Sequence, residues 1–333
     1  MALAFPGSFS LTMPTLLVCL SEIQLADLDR VRELADGFKV VRAESEEDIR
    51  SLLGDVEIVI GYLPPALVSV APRLQWIQSW SAGLDWLVEH EDFDPTGHPD
   101  LAVTSASGVH AVPIGEHVFA VLLAFSRKLP WALRDQRDRR WGPGEDYADV
   151  FEWRGKRLVM IGAGAIGERV IHLASAFGMT SVAVRASGRE TPGALRTVTP
   201  NRMTDELAEA DVVVAALPLT DATYRMLDAE TFSTMKPGAV FVNVGRGETV
   251  DQYDLVDALE SGQVGAAGLD VFEDEPLPAS SPLWTMDNVI VTPHVAGDTP
   301  HYAERALDLF ADNVARWRSG CDLRNRVDLQ AGY

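Results

Sequence analysis

Residues 158–167 read LVMIGAGAIG, an apolar run that ends in three glycines, and the amphipathic segment ERVIHLASAFG follows directly. Gly162, Gly164 and Gly167 therefore stand between a β-rich run and a helix, the context that a dinucleotide fingerprint requires. Gly162 permits the tight turn, Gly164 lets the backbone approach a pyrophosphate, and Gly167 lets helix and strand lie close. The loop Gly162, Ala163, Gly164, Ala165, Ile166, Gly167 is the expected cradle, with the helix N-terminal amides and macrodipole favouring the anion. GxGxxG alone is a weak signal, and a plain glycine turn is the competing reading.

Working outward from this loop, the strand-like runs LVMI, SVAV, DVVVAAL, AVFVNV, AAGLDVF and NVIVTP alternate with helical segments from Arg157 onward. Upstream, TLLVCL, FKVVR, VEIVI, LQWIQS and LAVTS alternate with LADLDRVRELAD and SEEDIRSLL. Such alternation predicts parallel sheets covered by helices. The first strand is expected at Thr15–Leu20, after a ragged apolar leader interrupted by Pro6 and Pro14. Between the two halves, AVPIGEHVFAVLLAFSRKL (111–129) reads as one long apolar helix, and RDQRDRRWGPGEDYADVFEWRGK then breaks the rhythm. A last helix spans roughly 301–319. The expected fold is α/β with two Rossmann-like or flavodoxin-like parallel-sheet domains, joined near 108 and 297, the C-terminal segment returning to the first.

At 333 residues and 47 % hydrophobic content the chain has the composition of a globular protein with room for two cores. A net charge of −21 argues against nucleic acid, which needs clustered Lys and Arg, and against an anionic membrane surface. No apolar run reaches the roughly 18 residues of a membrane span, and the leader lacks a basic start. Two sparse cysteines, Cys19 and Cys321, suit a reducing cytoplasm.

In a dinucleotide fold the second strand normally ends in Asp or Glu, which bonds the adenosine ribose 2′-hydroxyl and repels a 2′-phosphate. Strand SVAV ends instead at Arg185, with Ser187 and Arg189 behind it. A guanidinium there pairs with phosphate, which favours NADP(H). A solvated Arg at the strand end, with NAD(H) as cofactor, remains the alternative.

Ligands bind outside the carboxyl ends of the strands of an open α/β sheet. After AVFVNV come Gly245 and Arg246; after AAGLDVF come Glu273, Asp274 and Glu275; after NVIVTP comes His294. Each alone has a bland explanation: a surface ion pair, a solvated acidic loop, one histidine among seven. Together, at neighbouring strand ends, they suit reversible hydride transfer to a 2-keto acid. A planar Arg fork holds the substrate carboxylate and polarises the adjacent carbonyl, and histidine gives a proton to the oxygen as charge develops. A carboxylate on the other ring nitrogen would fix the imidazole; the three acidic residues are equal candidates on this reasoning. Asp270, read as still within its strand, could bond a nicotinamide carboxamide.

These blocks resemble the D-isomer-specific 2-hydroxyacid dehydrogenases over nearly the whole chain. HAVPIGEHVFAVLLAFSRK is similar to the family's interdomain helix and VMIGAGAIG to its cofactor loop, and ALPLTDATYRML, VNVGRGETVDQYDLVDALESG, GLDVFEDEPLP and VIVTPHVAG resemble its downstream blocks. Within the family the chain resembles most the glyoxylate/hydroxypyruvate reductase branch, down to the tail NRVDLQAGY. The resemblance implies a substrate domain from 1–107 and 298–333 and a dinucleotide domain from 108–297. It implies Arg246 on the substrate carboxylate, His294 as acid/base and Glu275, chosen by its Glu-Pro step, as partner. It further implies backbone amides around Ala82 and Gly83 on the substrate, with Tyr62 and Leu63 bordering it. Leu217 and Pro218 would lie against the adenine, Thr223 near the phosphates, and Val244, Gly245 and Gly297 beside the cofactor. No metal is implied. Family members usually dimerise through the cofactor domain, so that Trp141 could reach a partner's site. Two competing readings are an NAD(H)-dependent dehydrogenase of another hydroxy acid and a cofactor-sensing binding protein like the related corepressors.

Overall fold

Two parallel sheets form in the computed structural model, which describes residues 13–20, 23–88, 90–142, 144 and 147–329. The leader before residue 13 and the end of the tail lie outside the described residues. The chain divides into two units: the residues up to Val109 with those from Thr299 onward, and His110–Asp298 between them.

The first unit holds strands β1 (Thr15–Cys19), β2 (Lys39–Arg42), β3 (Val56–Gly61), β4 (Trp76–Gln78) and β5 (Ala102–Thr104). Their order is β2-β1-β3-β4-β5, all parallel, the flavodoxin-like arrangement. Because successive side chains point to opposite faces, each strand feeds two cores. Leu16, Val18, Ile58, Ile60 and Trp76 meet Leu28 and Val31 of helix Leu25–Leu34 and Leu307, Phe310 and Val314 of helix Tyr302–Arg318. On the other face Leu17, Val59, Ile77 and Val103 meet Ile49, Leu67 and Leu87. Each such side chain contributes about 2 kcal/mol when fully buried. Helix Glu46–Leu52 begins with a capping box, Ser45 Oγ accepting from the Asp48 amide at 3.1 Å while the Asp48 carboxylate accepts from the Ser45 amide at 3.0 Å.

The C-terminal helix is fastened to this sheet by aromatic and polar contacts. Trp76 stacks on Phe310 and Trp317, with ring centroids 5.8 and 5.5 Å away. Asn313, fully buried, donates to Gln78 Oε1 at 2.9 Å and accepts from the Arg324 amide at 2.7 Å. Buried Thr104 joins the same network, donating to Gln78 Oε1 and accepting from the Trp76 indole, both at 2.9 Å.

The second unit contains β6 (Arg157–Ile161), β7 (Thr180–Val184), β8 (Arg196–Val198), β9 (Val212–Ala215), β10 (Ala239–Asn243), β11 (Val264–Leu269) and β12 (Val289–Val291). All are parallel in the order β12-β11-β10-β9-β6-β7-β8. Counted from β6, this is the dinucleotide-binding strand order with one further strand beyond β11. One face carries Val159, Ile161, Val213 and Phe241 under Leu207, Phe232 and Leu255. The other carries Leu158, Met160, Val214 and Val242 under Val118, Leu122, Val170 and Ile171. Burial on both faces explains the near-continuous apolar runs.

Two details differ from the sequence reading. The helix expected over 111–129 ends at Ser126; Lys128 turns left-handed at φ 57°, and a second helix covers Leu129–Arg137. Pro130 sits in its first turn, where a missing amide hydrogen costs nothing; inside a continuous helix it would break a bond. Strand β8 was not foreseen, because its three residues RTV lie at the sheet edge and are only partly buried. No helix among the described residues is long and apolar enough to cross a membrane.

Candidate active site

One register line crosses the second sheet: Val184, Ile161, Ala215, Asn243, Leu269 and Val291 are successive pairing partners. Each is the last residue of its strand. The candidate residues of this unit follow that line closely, so the sheet delivers them to its carboxyl edge.

After β6, Gly162 turns at φ 90°, and a Cβ there would meet Ala216 O at 2.5 Å. Gly167 is pressed against Gly162 O, its ideal Cβ 2.7 Å away, which brings helix Ala165–Ala176 onto the strand. Gly164, by contrast, faces open space, with nothing within 4 Å of its ideal Cβ. Ala163 is buried beneath it, and Ala165 and Ile166 open the helix with unbonded amides. Two tight glycines around one open glycine at a helix N-terminus form a cradle that fits a pyrophosphate.

Arg185 lies one residue past β7, with Nη1 3.6 Å from Glu168 Oε1. Ser187 Oγ accepts from the Arg189 amide at 3.3 Å, in an exposed turn. Past β9, Ala216 and Leu217 run against Gly245, whose ideal Cβ would stand 2.6 Å from the Leu217 nitrogen, and Pro218 follows them. Thr223 holds this loop closed, donating to Pro218 O at 2.7 Å and accepting from the Thr220 amide at 2.8 Å.

Past β10, buried Val244 leads into Gly245 and half-buried Arg246. Asn243, 1 % exposed, clamps this bend: Oδ1 accepts from the Gly245 amide at 3.0 Å and Nδ2 donates to Arg246 O at 3.1 Å. Past β11, the three acidic residues part company. Glu273 pairs with Arg225 at 3.1 Å, Asp274 is exposed, and Glu275 Oε2 reaches His294 Nδ1 at 2.7 Å. The other oxygen of Glu275 accepts from the Phe272 amide at 3.1 Å, which fixes the carboxylate and leaves His294 Nε2 as the ring's second nitrogen.

His294 follows β12 with a left-handed backbone, φ 55°. Strand β11 stops at Leu269, so Asp270 lies just beyond it rather than inside it, 3 % exposed. Its carboxylate is taken up by the histidine loop, accepting from Thr292 Oγ1 at 2.6 Å, the Val295 amide at 3.0 Å and the Ala296 amide at 2.9 Å. Its carbonyl accepts from the His294 amide at 2.8 Å. Thr292 has one hydrogen, given to Asp270, so its oxygen accepts from His117 Nε2 at 3.3 Å. Gly297 ends the loop, its carbonyl accepting from His110 Nδ1 at 3.0 Å. Asn243, Thr292, His117 and Glu168 are the site residues that sequence reasoning missed; a lone Asn closing an apolar strand was the one signal available.

The first unit places its candidates separately. Tyr62 is 49 % exposed and lies on Trp86, ring centroids 4.5 Å apart. Trp86 donates to Ser81 Oγ at 3.2 Å, and Ser81 donates to Gly83 O at 2.6 Å, so the loop of half-buried Ala82 and Gly83 rests beside this aromatic pair. Leu63 is fully buried, and its side chain belongs to the core rather than to an open surface. Among the described residues no group of three or more His, Cys, Asp and Glu is arranged to hold a metal.

The chain is similar to known proteins of one family. Residues 119–296 match the family described as D-isomer specific 2-hydroxyacid dehydrogenase, NAD binding domain. A glyoxylate reductase of Korarchaeum cryptofilum is 30 % identical over 299 residues, 88 % of this chain and 87 % of the relative. A D-isomer specific 2-hydroxyacid dehydrogenase of Xanthobacter autotrophicus, solved with NADPH and MES, superposes with a TM-score of 0.83 at 28 % identity, covering 97 % of this chain and 100 % of that one. An NADPH-dependent glyoxylate/hydroxypyruvate reductase of Sinorhizobium meliloti, solved with NADP and sulfate, gives 0.80 at 27 % identity, with 96 % and 99 % covered.

Proposed function

Since this chain belongs to the D-isomer-specific 2-hydroxyacid dehydrogenase family, whose members are NAD(P)-dependent oxidoreductases of small hydroxy and keto acids, we propose that it is an NADP(H)-dependent reductase of a small 2-keto acid such as glyoxylate or hydroxypyruvate. The observation that carries the proposal is the 2.7 Å pair of His294 and Glu275, on the carboxyl edge of the sheet that also presents Arg246.

Glu275 fixes the imidazole through Nδ1, so that His294 gives a proton from Nε2 to the substrate carbonyl oxygen. Arg246 binds the substrate carboxylate with its planar fork. The dinucleotide would rest on Gly162 to Gly167 through its pyrophosphate, with Arg185 and Ser187 toward the 2′-phosphate. Leu217 and Pro218 would flank the adenine, Thr223 the phosphates, and Val244, Gly245, Asp270 and Gly297 the far end. When bound, the reduced nicotinamide supplies the hydride. NADP-bound relatives support the choice of cofactor. Exposed Leu129, Leu133 and Trp141 on the second unit support a homodimer, and the free thiols of Cys19 and Cys321 support a reducing, cytoplasmic setting.

The test is NADPH and NADH oxidation with a panel of keto acids, on the wild type and on His294→Ala. Replacing the general acid should lower kcat by about 10²–10⁴-fold and leave the NADPH dissociation constant nearly unchanged. A wild-type preference for NADH, or turnover that survives the substitution, overturns the proposal. Leu133→Glu should convert a dimer to a monomer in sedimentation.

A further inference from the structure

Glu168 occupies the first turn of helix Ala165–Ala176, directly after Gly167, with its amide donating to Gly164 O at 2.8 Å. Its Oε1 lies 3.6 Å from Arg185 Nη1 and 3.9 Å from Arg189 Nη2, so one carboxylate faces both guanidinium groups at the end of β7. Access differs sharply among the three side chains: Arg185 is 22 % exposed, Glu168 37 % and Arg189 68 %. Arg185 Nη1 is buried and makes no hydrogen bond. One negative charge faces two positive ones across this gap, and both distances are too long for a hydrogen bond. The less accessible guanidinium, the one assigned to a 2′-phosphate, thus keeps an unsatisfied N–H beside a carboxylate.

We propose that Glu168 is a specificity-determining residue, an internal counter-ion that stands against Arg185 and Arg189 and weakens binding of a ligand carrying a 2′-phosphate. The proposal rests on the NADP(H) reading of Arg185. Two effects compete. The carboxylate orders the guanidinium groups before ligand arrives, and exposed ion pairs of this kind give little. Against that, a phosphomonoester brings a charge of about −1.5 to −2 to the guanidinium that Glu168 already neutralises. Repulsion between these anions acts on a doubly charged ligand, while the ordering acts through a pair with no hydrogen bond. Repulsion therefore wins, and removing the negative charge frees both arginines for the phosphate. A ligand with a plain 2′-hydroxyl feels no such repulsion and can use the carboxylate as an acceptor.

The experiment measures dissociation constants of NADPH, NADH, adenosine 2′-monophosphate and adenosine 5′-monophosphate by calorimetry, on the full chain and on Glu168→Gln, Arg185→Ala and the double variant. Glutamine keeps the shape and the helix, and thermal melting confirms that the fold is intact. Glu168→Gln should bind NADPH and the 2′-monophosphate about three- to tenfold more tightly, with no tightening toward NADH, and the gain should shrink in high salt and vanish in the double variant. Unchanged or weaker NADPH binding in Glu168→Gln overturns the proposal while leaving the cofactor reading intact. If the wild type binds the 2′-monophosphate no better than the 5′-monophosphate and Arg185→Ala changes neither, the cofactor reading itself falls, and the proposal with it.

Discussion

Asp270 shows how much of the site hangs from one side chain. Its carboxylate holds Thr292, Val295 and Ala296, and its carbonyl holds His294, whose left-handed backbone has no glycine to ease it. Asp270→Asn keeps the volume but turns an NH₂ group toward hydrogen-bond donors. Losing buried acceptors of this kind costs about 2–3 kcal/mol, so the variant should melt earlier and lose kcat by a larger factor than it loses cofactor affinity. Cys19 gives a prediction of a different kind. Burial pushes its thiol up to about 12, so at pH 8 it stays protonated and unreactive, since only the thiolate attacks. Exposed Cys321 should react alone with a thiol reagent in the native state, and both should react in denaturant. At this scale the sequence was informative where strand ends mark positions: the setting of Arg246, of the triplet Glu273, Asp274 and Glu275, and of His294 past neighbouring strands could be read directly, whereas Glu275 was singled out within the triplet only by the family resemblance. Partners such as Glu168 for Arg185, or His117 for Thr292, could not be, because an ordinary polar residue on a helix carries no trace of what the fold brings opposite it.

Elements tell a similar story with different causes. Parallel strands buried on both faces announce themselves as apolar runs, and β6, β7, β9, β10 and β11 were all visible that way; edge strand β12 is only partly buried but keeps the apolar run Val289–Val291. Edge strand β8 has no such run, and helix Leu129–Arg137 was concealed by its charges and by the nearby Gly and Pro. Where elements meet most closely, a single methyl group decides the fit. At Gly268 of β11 an ideal Cβ would stand 2.3 Å from Val121 Cγ1 of helix Ala111–Ser126. Gly268→Val should therefore cost about 1–3 kcal/mol or more by overpacking, and Val121→Ala should recover part of that loss in a double-mutant cycle read by urea unfolding. Asn313 tests the other end of the chain: Asn313→Leu strands the Arg324 amide that it satisfies, at about 1–3 kcal/mol.

For the molecule as a whole, composition argued against classes of partner, while topology had to come from the order of elements. The return of the chain to its first sheet makes that unit dependent on residues far away in sequence: without Leu307, Phe310 and Val314, Trp76 loses its cover. The intervening unit has two cores of its own. A fragment of residues 110–298 should therefore fold cooperatively alone and bind adenosine 2′-monophosphate, whereas residues 1–298 should melt in two steps, the first of them early, in calorimetry.

One contact carries a consequence for ancestry and engineering. His110 and Gly297 touch at 3.0 Å, so the two stems of the intervening unit begin and finish side by side. On the other unit, Arg305 donates to Val109 O at 3.4 Å, and Ala106, Val109 and Ala306 cluster together. A segment with adjoining stems can be excised and the gap sutured with a few glycines, leaving a flavodoxin-like protein of the remaining residues; in the same way, it could once have been spliced whole into a smaller host.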